Sequence, residues 1–570
     1  MRLTPEIAQG VKMSTNSQTE VLEALKDECR ETQPTVWDVT YNLLRKLGLT
    51  TIFGNPGSTE QPFLKNFPSD FEYVLGLQEA TAVAMADGFA QATGKPALLN
   101  LHTSAGTGHG MGNIMTAFQN KTPLIITAGQ QTREMILCDP YLTNRDETTL
   151  PRPWVKWAYQ PARAQDVPGA IMRAYTVAMQ PPAGPVFLSI PLDDWDQPAL
   201  GEAVVRTASS RYSPDPERLA HFAERIRKSK NPVLLYGPEI ERAGGWDAGI
   251  KFAERLRAPV YMAPLSDKAS FPQTHPQFRG MAPFAIGPLS KKLRGHDLII
   301  VVGAQVFRYY PYVAGEYLPE GAELLQITSD PYDAAAAIVG DSLLADAKLA
   351  LDALNDAIPE VKSRPAPAPS HIERKLPTPP NSPLTALEAF AALSELRPAN
   401  AILVNETASN FGDLAQYWPI NEPGSYYTFA SGALGWGEPA AVGVAIAQKK
   451  LGTGRPVIAA IGDGSLQYSV QSLYTAARQK LKLIYIVPCN DEYAILKEFA
   501  VLEKTPNVPA LNLPGLDIVA TAKAFGCIGV AANTKEEIKE AFRTALSAEG
   551  PTVIAIRVAH QLRPLVPDVD

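Results

Sequence analysis

The sequence predicts three α/β domains, each a doubly wound parallel sheet, and three observations predict them. Short apolar runs recur along the chain with helical stretches between them, the pattern left by strands buried on both faces. At 570 residues the chain exceeds what one hydrophobic core serves, since domains run to roughly 150 residues. The alternation is broken by a proline-dense stretch, RPAPAPS then KLPTPPNSP, where helix cannot propagate and extended chain is favoured.

Taken in order, residues 1–34 are polar and without apolar periodicity, and are expected to be a flexible extension outside the fold. The runs TIFG (51–54), PALLNL (96–101), PLIITAG (123–129) and PVFLSIP (185–191) read as the strands of a first domain over 35–210. PVLLYG (232–237), APVYMAP (258–264) and DLIIVVG (297–303) open a second over 211–358, which closes in Asp/Ala/Leu-rich helical sequence near residue 354. Residues 359–383 are the linker. AILVNE (401–406), PVIAAIGDGS (456–465), KLIYIVPCN (482–490) and TVIAIRVA (552–559) build a third domain over 384–570. No short-period repeat is present.

Composition narrows the function. A net charge of −7 without a long basic run leaves no electrostatic footprint for nucleic acid or an anionic membrane. No apolar stretch reaches the roughly 18 residues a bilayer crossing needs, and no signal-like segment opens the chain, so a cytoplasmic protein is expected. The cysteines Cys29, Cys138, Cys489 and Cys527 form no C-x-x-C pair, which argues against a disulfide framework or a structural zinc. Small molecules and other subunits are the expected partners.

The most informative segment is PVIAAIGDGSLQYSVQSLYTAARQKLKLIYIVPCN. An apolar strand runs into Gly462-Asp463-Gly464-Ser465, a helix of about four turns is expected to follow, and a second strand ends at Cys489-Asn490. In such a βαβ crossover Asp463 and Asn490 both fall at strand C-terminal ends, the edge where open α/β sheets bind ligands. A carboxylate and a carboxamide oxygen are hard ligands suited to Mg²⁺ or Ca²⁺, and a cation held by few protein groups commonly bridges to phosphate. G-D-G-S alone reads equally as a tight turn capping a helix; the spacing to Asn490 favours a metal–diphosphate site.

This G-D-G-S, then 24 residues, then Asn pattern resembles the cofactor motif of thiamine-diphosphate (ThDP) enzymes, and the three-domain order is similar to their pyrimidine, middle and diphosphate domains. Within that family the likeness is greatest to benzoylformate decarboxylases, through FGNPGSTE (53–60), LGLQEA (75–80), LHTSAGTG (101–108), TAGQQTR (127–133), LPRPWVKW (150–157) and FRYYPY (307–312). The resemblance implies that Asp463, Asn490 and the backbone carbonyl of Glu492 hold the metal. It implies that Glu79 protonates the aminopyrimidine ring and so generates the carbon nucleophile. It further implies that Leu434 wedges the cofactor into a bent shape, that Asn55 and Gly57 shape the loop near it, and that Ser409, Gly432, Gly464, Ser465 and Tyr493 bind it.

His102, beyond the strand PALLNL, matches a pocket histidine that moves protons, and Ser58 matches the serine that holds the substrate carboxylate. His109 is given no role and is expected to be structural or peripheral. Gly106, Gly108, Gly110 and Gly112 do not satisfy G-x-G-x-x-G, so a nicotinamide site is weakly supported.

Three positions depart from the family pattern. Tyr310 replaces a second pocket histidine, exchanging an imidazole for a phenol. Ala408 loses a threonine hydroxyl, and Ile495 adds bulk where the family has alanine, while Leu496 and Phe499 are retained. The expected pocket is smaller and more apolar. The expected activity is non-oxidative decarboxylation of a benzoylformate-like 2-oxo acid to an aldehyde and CO₂, by a homodimer or homotetramer. The alternatives are a ThDP-dependent carboligase or synthase, for which the lost histidine speaks, and a non-catalytic cofactor-binding protein.

Overall fold

The computed structural model describes residues 33–566 except 147, 363, 366, 370–375 and 379. The expected N-terminal extension and Cys29 therefore lie outside the described residues, save Gln33 and Pro34. These two belong to the fold, since Pro34 O accepts from Ala199 N at 2.9 Å and the Gln33 amide donates to Ala199 O.

Among the described residues are three six-stranded, wholly parallel sheets. The first contains β1 (Thr51–Gly54), β2 (Glu72–Leu75), β3 (Ala97–Leu101), β4 (Leu124–Gln130), β5 (Ala158–Tyr159) and β6 (Val186–Pro191), in the order β2-β1-β3-β4-β6-β5. The second contains β7 (Pro232–Tyr236), β8 (Val260–Met262), β9 (Phe278–Met281), β10 (Leu298–Val302), β11 (Glu323–Thr328) and β12 (Asp341–Leu344), in the order β12-β11-β10-β7-β8-β9. The third contains β13 (Ile402–Glu406), β14 (Tyr426–Tyr427), β15 (Val457–Ile461), β16 (Leu483–Cys489), β17 (Ile528–Ala532) and β18 (Thr552–Arg557), in the order β14-β13-β15-β16-β18-β17. Every apolar run read as a strand is one.

One expected element is different. Instead of a continuous four-turn helix between β15 and β16, a short helix Asp463–Leu466 is followed by turns and then by Ser472–Arg478. The break falls at Ser469, whose buried hydroxyl donates to Gly435 O at 2.6 Å rather than staying in a helical turn. The described residues of the 359–383 linker form no helix or strand and run along the middle domain, where Val361 N donates to Arg255 O.

The first and third sheets are joined through two helices. Glu79–Thr93 starts where the Gln78 side chain accepts from the N–H groups of Ala80 and Thr81, and ends at left-handed Gly94. Gly437–Leu451 ends the same way at Gly452. Their small residues let the backbones meet: a Cβ on Gly88 would lie 2.2 Å from Ala440 O, and one on Gly443 1.9 Å from Met85 O. Buried Trp436 seals the crossing by donating to Asp87 at 2.7 Å. One hydrophobic core consequently runs from Phe53 and Leu99 through Met85 to Val442 and Ile461. No helix is long and apolar enough to cross a membrane among the described residues.

Candidate active site

Two clusters form at strand C-terminal edges, one in the first sheet and one in the third. In the first, β1 ends beside Asn55, and Glu79 opens its helix after β2. Glu79 is 7% exposed; its Oε1 accepts from Asn55 Nδ2 at 3.2 Å and its Oε2 lies 3.1 Å from His109 Nδ1. His109, expected to be peripheral, is therefore in contact with the carboxylate expected to do the chemistry.

His102 occupies the N-cap position of the helix Thr103–Gln119 but makes no cap bond, because its ring is turned to Glu60. His102 Nδ1 is 2.8 Å from Glu60 Oε2 and 3.2 Å from Thr59 Oγ1. Buried Glu60 also accepts from Gly57 N at 2.9 Å, Thr59 Oγ1 at 2.7 Å and Gly129 N at 2.9 Å. An ionised carboxylate only accepts, so Nδ1 carries the ring proton and Nε2 is left as the exchangeable nitrogen. Two glycines make this possible. A Cβ on Gly57 would stand 2.0 Å from His102 Nδ1, and one on Gly129 2.3 Å from Glu60 Oε1. Ser58 is exposed on the turn beside them.

Glu60 escaped the sequence reading, although it lies inside FGNPGSTE. Its position three residues after Gly57, where an acid can reach back to a turn N–H, was the available signal.

In the third sheet, Asp463 is 4% exposed at the end of β15 and accepts from Gly464 N at 2.8 Å, Asn490 N at 3.0 Å and Asp491 N at 2.8 Å. Burial nevertheless raises its pKa above the ordinary aspartate value. Asn490 Oδ1 accepts from Glu492 N at 3.3 Å. The Glu492 carboxylate is engaged by Lys497 and His560, so only its backbone carbonyl is left to face a ligand.

A small open pocket lies here, lined by Ala408, Ser409, Leu434, Gly464, Ser465, Tyr493 and Ile495 together with Asp463, Asn490 and Glu492. Gly464 keeps it open, since a Cβ there would come within 2.7 Å of the Tyr493 ring. A buried carboxylate, a carboxamide and a backbone carbonyl around a glycine cradle suit a diphosphate carrying a hard cation. Among the described residues no group of three or more His, Cys, Asp or Glu side chains is placed to hold a metal ion, so a cation here would need amide, carbonyl and phosphate oxygens beside the Asp463 carboxylate.

Leu434 is held by a second residue the sequence did not reveal. Glu406, at the end of β13 and 1% exposed, accepts from the N–H groups of Gly435 at 2.7 Å and Trp436 at 3.0 Å, and from that of Gly437. Its burial pushes its pKa up to about 7. Gly432 and Gly435, both at positive φ, turn the chain on either side of Leu434.

On the substrate side, Tyr310 and Phe499 come together with ring centroids 5.0 Å apart, although Tyr310 is 62% exposed. Ile495, Leu496 and Phe499 lie on the helix Ala494–Leu502, with Ile495 one turn from Phe499 and Leu496 exposed. Residues of the third sheet's domain alone line the Asp463 pocket. Glu79, His102 and Ser58 are not among them.

Family models match the chain in three consecutive segments: the N-terminal TPP binding domain of thiamine pyrophosphate enzymes over residues 34–149, the central domain over 219–354 and the C-terminal TPP binding domain over 407–556. A benzoylformate decarboxylase of Pseudomonas aeruginosa is 45% identical over 530 residues, covering 92% of this chain and 98% of its own length. The crystal structure of benzoylformate decarboxylase from Polynucleobacter necessarius matches with a TM-score of 0.92 at 52% identity. A thiamine diphosphate-dependent 4-hydroxybenzoylformate decarboxylase of Rhodococcus jostii matches at 0.90 and 40% identity. Each structure covers 93% of this chain and 100% of its own.

Proposed function

The chain belongs to the thiamine pyrophosphate enzymes, and from that premise we propose that it is a ThDP-dependent decarboxylase converting an aryl or comparable 2-oxo acid to an aldehyde and CO₂. The observation that carries this reading is the pair of half-sites. One is an edge built to hold a cation and a diphosphate; the other is an edge built to move protons. When bound, ThDP supplies the carbon that adds to the 2-oxo group and the electron sink for the departing carboxylate.

The chain's own residues do the rest. The Asp463 carboxylate, Asn490 Oδ1 and the Glu492 backbone carbonyl would hold Mg²⁺ or Ca²⁺, and Gly464, Ser465, Ser409 and Tyr493 would line the diphosphate. Leu434 and Gly432 would support the bound cofactor, with Glu406 fixing their loop. Glu79, its carboxylate oriented by Asn55, would supply the proton that the aminopyrimidine ring of bound ThDP takes up. Ser58 donates to the substrate carboxylate, and His102 moves a proton through Nε2 because Glu60 occupies Nδ1. Tyr310, Phe499, Leu496, Ile495 and Ala408 form the apolar wall that receives the substrate's side chain and excludes water.

The diphosphate pocket contains no residue of the first sheet's domain, which supports an active unit in which a second copy brings Glu79 and His102 to it. A homodimer is then the minimum, a homotetramer is compatible, and the cytoplasm is the proposed location. Tyr310 in place of a histidine favours carboligation as a side activity, with the second carbonyl compound competing with a proton.

The test is a panel of aromatic and aliphatic 2-oxo acids assayed for aldehyde and CO₂ with ThDP and Mg²⁺, with and without an added acceptor aldehyde. CO₂ and aldehyde release from at least one acid supports decarboxylation. Release only in the presence of acceptor would make the protein a carboligase, and no turnover of any acid would sink the reading.

A further inference from the structure

His109 stands on the helix that His102 opens, and the role of Glu79 leaves it unused. Its Nδ1 is 3.1 Å from Glu79 Oε2, and its side chain is 65% exposed where that of Glu79 is 9% exposed. A Cβ on Gly106 would press on Glu79 Cγ at 3.1 Å, so glycine there leaves the carboxylate its place beside the ring.

The other groups at this edge are committed elsewhere. Glu79 Oε1 takes the Asn55 amide, which cannot exchange protons. His102 and Glu60 engage each other, and the Tyr73 hydroxyl, held protonated chiefly by its burial and further by the fields of Glu60 and Glu79, makes no hydrogen bond to either carboxylate. Among the described residues His109 is the one ionisable group hydrogen-bonded to Glu79.

We propose that His109 is a positioning residue that fixes the Glu79 carboxylate and is the route by which Glu79 exchanges its proton with solvent. The inference rests on the reading that Glu79 protonates the aminopyrimidine. The step balances without any redox partner. After Glu79 gives up its proton, Nε2 of the exposed Nδ1–H ring takes one from solvent, the imidazolium passes Nδ1–H to the carboxylate, and exchange with water returns the neutral ring to the Nδ1–H tautomer, so one proton enters from solvent for each that Glu79 gives up. A carboxylate this buried has, among the described residues, no other hydrogen-bonded group that can carry a proton and is itself open to water.

Two measurements test it. In the cofactor-free protein, ¹⁵N NMR of the His109 ring is expected to show Nδ1 protonated, reverting to the Nε2–H tautomer in Glu79→Ala. The Nε2–H tautomer already in the wild type would overturn the proposal. In the holoenzyme, His109→Asn keeps an N–H donor near the place of Nδ1 but cannot exchange protons. ThDP affinity is expected to stay within about twofold while kcat falls at least about tenfold and loses its pH dependence, with free imidazole restoring it. Wild-type kcat and pH profile in that variant would overturn the exchange role. Full turnover by Glu79→Gln would instead sink the reading of Glu79 itself and leave the NMR result standing.

Discussion

The first and third sheets share one strand order, and the same edge carries different side chains in each, proposed above to move protons in one and to hold charge in the other. After the third strand in sequence, β3 leads to His102 at the head of a 17-residue helix, while β15 leads to Asp463 at the head of a four-residue one. After the fourth, β4 offers the backbone N–H of Gly129 and β16 offers Asn490. Each domain also buries a glutamate behind its edge: Glu60 anchors a histidine and Glu406 anchors a loop. Fold thus decides where a ligand meets the chain. A few side chains at equivalent topological positions decide whether that place moves protons or holds charge.

The comparison breaks most visibly through its two principal carboxylates. Asp463→Ala should weaken ThDP and Mg²⁺ binding by about a hundredfold or more, with turnover returning at saturating concentrations. Glu79→Gln should bind ThDP nearly normally and lose on the order of 10²–10⁴-fold in kcat. Titration calorimetry and steady-state rates read both, and an exchange of the two phenotypes would reverse the assignment of the edges.

Glu60→Gln comes next. An amide can turn either an oxygen or an N–H toward His102, so the ring loses its fixed tautomer, and kcat should fall roughly 10- to 100-fold with KM little changed. Thermal unfolding of this variant must remain cooperative for the rate to be read, and an unaltered kcat would remove Glu60 from the proton-moving edge.

A smaller effect is expected at Ile495. Overfilling a close-packed wall costs about 1–3 kcal/mol for the ligand it must admit, so Ile495→Ala should move selectivity toward benzoylformate about tenfold relative to 2-oxobutanoate and 2-oxohexanoate. No change in the ratio of kcat/KM values would show that Ile495 does not touch substrate. Tyr310→His should chiefly raise the rate of aldehyde release by supplying an imidazole beside Phe499.

Glu406 should give the smallest effect, seen in pH dependence. Its folded pKa of about 7 lies above the ordinary 4.5, so its contribution to stability is complete below pH 4.5 and lost as pH rises through about 7. The wild type should therefore lose more melting temperature between pH 5 and 8 than Glu406→Gln does. Equal slopes would mean that this carboxyl does not titrate in that range.

The interior strands were legible because both faces are buried and their runs are continuously apolar, as in β1, β3 and β10. Edge strands were not. β2, β9 and β17 are half-exposed and β5 and β14 are two residues long, which leaves no run to read. β11 is buried but interrupted by Gln326, whose side chain is satisfied by Ala304 O and the Ser342 hydroxyl.

The site divides in the same way. Asp463 and Asn490 were found because their spacing reports a crossover, and Glu79 and His102 through a family likeness. Glu406 and the contact made by His109 depend on partners 29 to 31 residues away, and Glu60, apart from its reach back to Gly57, on His102 and Gly129 42 and 69 residues away, so little in their neighbouring residues announces burial.

The backbone contact at Gly88 and Gly443 carries a mechanical consequence. Helices that touch main chain to main chain have no side-chain cushion to deform, so the half of the chain that carries Glu79 and the half that carries Asp463 are tied together as a single lever. If each half serves a different cavity, closing one cavity displaces a wall of the other. Two such cavities in an assembled dimer would keep time with each other through a pair of glycines rather than through any ligand.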